Sequence, residues 1–203
     1  MHRNPHDKNR VILWARKVLS NKDNYVILDT ETTGLGKRDV VLQMAIIDLN
    51  GNSLFNSLIK PTKRKSISKE AIDIHGITIN SLKDAPTFNE IFNKIEEIIK
   101  HKTILIYNAE YDERIIDQTS EIEDVNFLYM QTECVMLPYS EFKGKWSEYY
   151  YSYTYQKLPG GDHSAIGDCR ATLALLNKMA ETELIEVSEP KQHIEEKKWW
   201  QFW

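Results

Sequence analysis

Apolar and polar positions alternate along this chain with two different periods. VILWARKVLS (11–20) carries Ile12, Leu13, Ala15, Val18 and Leu19 at near-helical spacing and predicts a short amphipathic helix. Residues 1–10 ahead of it are polar, which predicts a flexible N-terminus. An apolar run at 25–30 predicts a first strand, and VVLQMAIIDL (40–49) a second. Asn50-Gly51-Asn52 then predicts a hairpin into SLFNSLIK (53–60), so three strands form an antiparallel meander. Helical spacing returns at 87–100, where Phe88, Ile91, Phe92, Ile95, Ile98 and Ile99 follow Pro86. TILIY (103–107) predicts a fourth strand, a helix starts at about 112, and a Leu- and Ala-rich helix runs from 166 to about 183. SISKEAIDIHGIT reads as irregular. The region 118–160 has no clear pattern, although Tyr149, Tyr150, Tyr151, Tyr153 and Tyr155 crowd one short segment. Strands first, then alternating helix and strand, predict an α/β fold: a mixed sheet with helices on its faces.

Length and composition fit this picture. The chain has 203 residues, 41% hydrophobic and 28% charged, which suits one domain over 11–183 with a polar linker and aromatic tail at 184–203. No apolar run reaches the roughly 18 residues of a membrane span. MHRNPHDKNR has no apolar signal region behind it, and Cys134 and Cys169 form no metal-spacing motif. These features predict a cytoplasmic protein with reduced thiols. The net charge is −4, from 26 basic and 30 acidic residues. That argues against a protein coating nucleic acid electrostatically, and leaves room for an enzyme that grips a few nucleotides. Lys63, Arg64 and Lys65 form the one compact basic cluster, which reads as a solvated loop.

The acidic positions change the picture more. In VILDTETTGL (26–35), Asp29 and Glu31 follow the apolar residues directly. Side chains at i and i+2 of a strand share a face, so the two carboxylates lie side by side and call for a cation between them. Asp112, in IYNAEYDERI, follows the fourth strand, and Asp168, in GGDHSAIGDCRATLALL, lies in the first turns of the last helix. Four acids from three segments can meet at one end of the sheet. Two-metal phosphodiester hydrolysis needs such a set: two Mg²⁺ or Mn²⁺ ions about 3.5–4 Å apart, held by hard oxygen ligands. His163 is the candidate base for the attacking water. Five residues turn a helix by about 140° beyond a full turn, so His163 must lie ahead of the helix if it serves the same site as Asp168. Each feature alone has a plainer reading: a solvated Asp-x-Glu pair, an Asp at a helix N-terminus, a structural His, a packed thiol at Cys169.

Together, DTETTGL, YNAEYD and HSAIGD resemble the three exonuclease motifs of the DEDDh family of 3′–5′ exonucleases, the DnaQ-type proofreading fold. EAIDIHGIT (70–78) and APTF (85–88) resemble further family segments in the right order, so the resemblance spans about 11–183. It implies a ribonuclease H-like mixed five-stranded sheet flanked by helices. It implies Asp29, Glu31, Asp112 and Asp168 as metal ligands and His163 as general base. It also places Thr32 and Leu35 against the 3′-terminal nucleotide and His75 near the cleft. The expected substrate is a single-stranded or frayed 3′ end of DNA or RNA, released as nucleoside monophosphates in proofreading, repair or end trimming. Tyr107, Tyr111 and Gln43 depart from the commoner family residues His, Phe and Glu, and none is an implied ligand. The alternatives are a catalytically weak nucleic-acid-binding or scaffolding module on the same fold, and an oligoribonuclease. Trp199, Trp200, Phe202 and Trp203 at the end of the tail suggest docking on a partner protein or a second copy of the chain.

Overall fold

The computed structural model describes residues 4–63, 66–126 and 130–187. Five strands form one sheet in the order β3-β2-β1-β4-β5: β1 (Tyr25–Thr32), β2 (Val41–Asp48), β3 (Ser53–Leu58), β4 (Thr103–Ile106) and β5 (Thr132–Cys134). The first three are the antiparallel meander, while β4 and β5 add in parallel to the other side of β1. The sheet is therefore mixed and five-stranded, as the motifs imply.

Alternation along β1 sorts the helices into two layers. Val26 and Leu28 pack with Met44, Ile46, Ile104 and Ile106 against α3 (Phe88–Ile99) and α4 (Ala109–Glu123). Ile27 points the other way and packs with Ala45, Ile47 and Leu105. That face is covered by α1 (Pro5–Ser20), α5 (Met136–Lys143) and α6 (Ala165–Glu181). Continuing the period of two, Asp29 and Glu31 share the face of Ile27 and α6, whereas Thr30 and Thr32 share that of α4. At Glu31/Thr32 the β1–β2 register shifts, as Glu31 pairs with Gln43 but Thr32 with Val41. Such a bulge ends regular pairing where the site begins.

Several boundaries differ from the sequence reading. Residues 1–10 do not form a loose segment throughout, because α1 starts at Pro5. Asn4 caps it by accepting the His6 N–H (3.0 Å), and Pro5 occupies the first turn, where its missing N–H costs nothing. α4 begins at Ala109 rather than about 112. The stretch read as irregular contains α2 (Lys69–His75), capped by Ser68 and ended by Gly76 in the left-handed region (φ 71°). The region without pattern supplies β5, α5 and a two-stranded hairpin, β6 (Trp146–Ser147) and β7 (Ser152–Tyr153). No helix among the described residues is long and apolar enough to cross a membrane. Arg64, Lys65 and the aromatic tail at 199–203 lie outside the described residues.

Candidate active site

Asp29 and Glu31 leave β1 on the α6 side, and α6 brings Asp168 to them. Ser164 caps α6 by accepting the Gly167 N–H (3.1 Å), which places Asp168 in the first turn. One carboxylate oxygen from each of Asp29, Glu31 and Asp168 can be chosen so that all lie within 4.8 Å of one another. All three residues are half-buried.

Asp112 approaches from the opposite layer. It sits in the first turn of α4, is 4% exposed, and accepts a hydrogen bond from Thr30 Oγ1 at 2.7 Å. It is not part of the three-acid cluster, yet its charge reaches Asp29 and Glu31. Burial followed by the neighbouring carboxylates pushes Asp29 well above the usual carboxylate range. The same causes, burial and then Asp168 and Asp112, raise Glu31 to about 8. Burial raises Asp112 to about 7, against the opposing pull of the Thr30 hydrogen bond. Three such acids cannot all ionise together without a cation. The donor set is all oxygen and anionic, which fits a hard divalent ion such as Mg²⁺ or Mn²⁺.

His163 lies ahead of α6, on the loop after Gly160 and Gly161, as the helical rotation requires. The loop is tied to the acid cluster through its backbone. Asp168 Oδ1 accepts the N–H groups of Asp162 (2.9 Å) and His163 (3.3 Å), and His163 adopts a left-handed φ of 60°. Two glycines make this closeness possible. A Cβ on Gly161 would sit 2.7 Å from Asp168 Oδ1, and one on Gly167 would sit 1.9 Å from Asp162 Oδ1. Asp162 in turn accepts from the Ser164 N–H and hydroxyl (3.0 and 2.7 Å), which holds its carboxyl below the usual range.

Thr32, Leu35 and His75 all line one cavity of about 230 Å³ that opens beside Glu31. His75 Nδ1 accepts the Ile77 N–H (2.9 Å), so the ring proton lies on Nε2 and is donated to the Thr32 carbonyl (3.0 Å). His75 thus braces the end of β1. Leu35 is 81% exposed at the cavity mouth.

One contributor escaped the sequence reading, and three residues noted there as departures gain a role. Thr30 was hidden between the two acids, although its position on the other face of β1 is what joins it to Asp112. The Tyr111 hydroxyl bonds Thr32 Oγ1 (2.7 Å) and the Gly34 carbonyl (3.1 Å), tying α4 to the turn after β1. Tyr107 donates to the Gln156 carbonyl (2.7 Å). Gln43 Oε1 accepts the Ala165 N–H (3.3 Å) at the start of α6. The three departures from the commoner family residues are therefore structural ties around the site. Cys169 is a packed thiol, fully buried beneath it and directed at the Ile27 and Ala45 carbonyls.

An acid cluster at a strand end, with a buried acid reaching it from the opposite layer of a mixed five-stranded sheet, is a donor set suited to divalent-metal chemistry. A family model described as Exonuclease matches residues 26–176. The chain belongs to the exonuclease family, in its DEDDh branch of 3′–5′ exonucleases, and metal-dependent 3′–5′ exonuclease activity goes with that membership. It is 34% identical over 175 residues to an uncharacterized exonuclease, CP81, of Escherichia phage 186, covering 78% of this chain and 89% of that protein. It spans 60% or less of the DNA polymerase III proteins that it also matches. In fold it is similar to exonuclease X in complex with 5′ overhanging duplex DNA (24% identity, TM-score 0.54, 76% of this chain and 90% of that one). It is also similar to the nuclease domain of 3′hExo, a DEDDh family member bound to rAMP (15% identity, TM-score 0.58, 82% and 98%).

Proposed function

We propose that the chain trims a single-stranded or frayed 3′ end of DNA or RNA, one nucleoside monophosphate at a time, through two divalent metal ions. The observation that carries this reading is the meeting of Asp29, Glu31 and Asp168 within 4.8 Å beside the buried Asp112. When bound, the two ions supply charge neutralisation at the attacking water and at the leaving oxygen of the phosphodiester. Asp29, Glu31 and Asp168 would hold one ion, and Asp112, with Asp29, would support the second, with Mg²⁺ or Mn²⁺ as the natural occupants. Thr30 keeps the Asp112 carboxylate aimed and partly stabilises its charge.

His163 takes the proton of the attacking water in this scheme. Its loop is anchored on Asp168 through backbone N–H groups only, which leaves the imidazole exposed and able to swing toward the acids. Thr32, Leu35 and His75 receive the terminal nucleotide in the cavity beside Glu31. DNA and RNA both remain as substrate classes, since the two structural relatives hold a DNA duplex and rAMP. The cytoplasm is the proposed compartment, supported by the free Cys134 and Cys169. Docking of the tail at 199–203 on a partner protein or a second copy is a separate proposal, resting on its aromatic composition.

The test is direct. The protein is incubated with Mg²⁺ or Mn²⁺ and 5′-labelled single-stranded DNA, duplex DNA and RNA. A ladder shortening from the 3′ end, silenced by EDTA and restored by Mn²⁺, supports the reading. Internal cleavage, or hydrolysis that survives EDTA, sinks it.

A further inference from the structure

The β6–β7 hairpin carries chemistry that the site above does not use. Its tip presents three consecutive tyrosines to water: Tyr149, Tyr150 and Tyr151 are 83%, 74% and 79% exposed. Tyr155, just past β7, is 63% exposed. Tyr149 and Tyr150 meet edge to face, with centroids 4.8 Å apart. A groove of about 550 Å³ runs along the hairpin, lined by Tyr150, Tyr153 and Tyr155 with Ser147, Ser152 and Thr154. So much aromatic surface in water is a cost unless something docks on it.

The base of the hairpin, in contrast, is firmly held. Trp146 and Tyr153 pack edge to face at 5.2 Å, Tyr153 donates to Asp7 (2.7 Å), and the Thr154 N–H bonds the Lys145 carbonyl (2.7 Å). The rings are thus carried on a preorganised support.

Position and charge identify the occupant. Tyr107, which holds the Gln156 carbonyl, directly follows β4. The parallel pairing of Ile27 with Leu105 puts Tyr107 level with Asp29 on the neighbouring strand. The hairpin therefore leads into the acid-bearing end of the sheet, and residues 157–162 connect it to His163. Lys143, Lys145 and Lys157 are exposed around it against a single acid, Glu148, over 143–157, a local excess of two positive charges in a chain of net charge −4. Flat aromatic faces next to lysines, continuous with a phosphodiester-cleaving site, suit a polyanion with stackable bases.

We infer that the β6–β7 hairpin is a stacking platform for unpaired bases of the substrate strand behind its 3′ end. This inference rests on the exonuclease reading of the site. Because every base has a π-face, such a platform would tolerate any sequence and favour single strands over duplex.

The test uses the full chain with Tyr149, Tyr150 and Tyr151 all changed to Ala, and a second variant with all three changed to Phe. With Mn²⁺, the Ala variant should show at least a tenfold higher KM on a 15-nucleotide oligothymidylate, within the range that base–aromatic stacking gives. Its kcat and KM on a dinucleotide, which has no strand behind the cleaved bond beyond one base, should stay within about twofold of the parent protein, and the Phe variant should match the parent on both. An unchanged KM on the 15-mer, equal losses on both substrates, or a Phe variant as impaired as the Ala variant would overturn the platform. Fluorescence anisotropy of the labelled 15-mer in EDTA separates this from the exonuclease reading. If the parent protein cleaves neither substrate, that reading fails by itself. A tenfold weaker Kd in the Ala variant then still supports the platform, and an unchanged Kd rejects it.

Discussion

Replacing Asp112 by Asn should make the metal-free protein more stable while abolishing its activity. Asp112 is 4% exposed, and burial raises its carboxyl from 3.8 to about 7. Its folded value is raised, so the metal-free fold carries no penalty from this group below pH 3.8. The penalty grows as pH rises, and it is fully developed once pH passes about 7. At about 1.4 kcal/mol per pH unit, the rise from 3.8 to about 7 corresponds to on the order of 4 kcal/mol at pH 8 and below about 1 kcal/mol at pH 4. Asn is nearly isosteric, and its Oδ1 can keep the Thr30 hydrogen bond of 2.7 Å. A domain of this size gains about 2–4 °C per kcal/mol. The variant in EDTA should therefore melt roughly 8–16 °C above the parent at pH 8 and only about 1–3 °C above it at pH 4. Mn²⁺ should narrow the gap, because the variant keeps the Asp29, Glu31 and Asp168 site and loses only the second ion. Scanning fluorimetry at both pH values is the assay. A variant no more stable at pH 8, or equally stabilised at both pH values, would refute the reasoning.

Other residues give narrower tests. His163→Ala should lower kcat by about 10²- to 10⁴-fold with Mn²⁺ affinity kept; a loss below about tenfold would assign it a structural role. Gly167→Ala would drive a Cβ to 1.9 Å from Asp162 Oδ1, so the Asp162 side chain must turn away and release Ser164, which loosens the loop that carries His163. The expected loss is about 1–3 kcal/mol of stability, read by melting, together with a drop of at least about tenfold in rate. Tyr111→Phe removes a hydroxyl that bonds Thr32 and Gly34, but Thr32 Oγ1 already reaches the Gly34 carbonyl at 3.0 Å. A cost of about 0.5–1.5 kcal/mol with activity within about threefold is expected, and loss of activity would show that the hydroxyl does more than brace the turn.

The parts of this site that were legible in the chain are those governed by a local period. Asp29 and Glu31 share a face because strand side chains alternate, and His163 lies ahead of α6 because helical rotation separates it from Asp168. The side on which each helix packs is a property of the whole topology. Nothing near Asp112 announces that α4 covers the opposite face from α6, so its partnership with Thr30 rather than with the three-acid cluster emerges only in the fold. β5 is three half-buried residues, Thr132, Glu133 and Cys134, with no apolar run to mark it. α2 buries none of its residues fully, so it has no amphipathic stripe to read. The early start of α1 was signalled by Asn4-Pro5, a cap followed by a first-turn proline, rather than by periodicity. The tyrosine hairpin lacked a pattern because each of its strands is only two residues long, too short to show a period, and its tip is exposed.

The claim that Asp29, Glu31 and Asp168 form a cation site is tested most directly by calorimetric titration of Mn²⁺ into the parent protein and into Asp29→Asn. With Glu31 raised to about 8 and Asp112 to about 7, the metal-free cluster is partly protonated at pH 7, so binding must expel protons. The parent should bind Mn²⁺ with a heat that changes with the ionisation enthalpy of the buffer, and Asp29→Asn should lose that binding while remaining folded. Undiminished, buffer-dependent Mn²⁺ binding in Asp29→Asn would contradict the account.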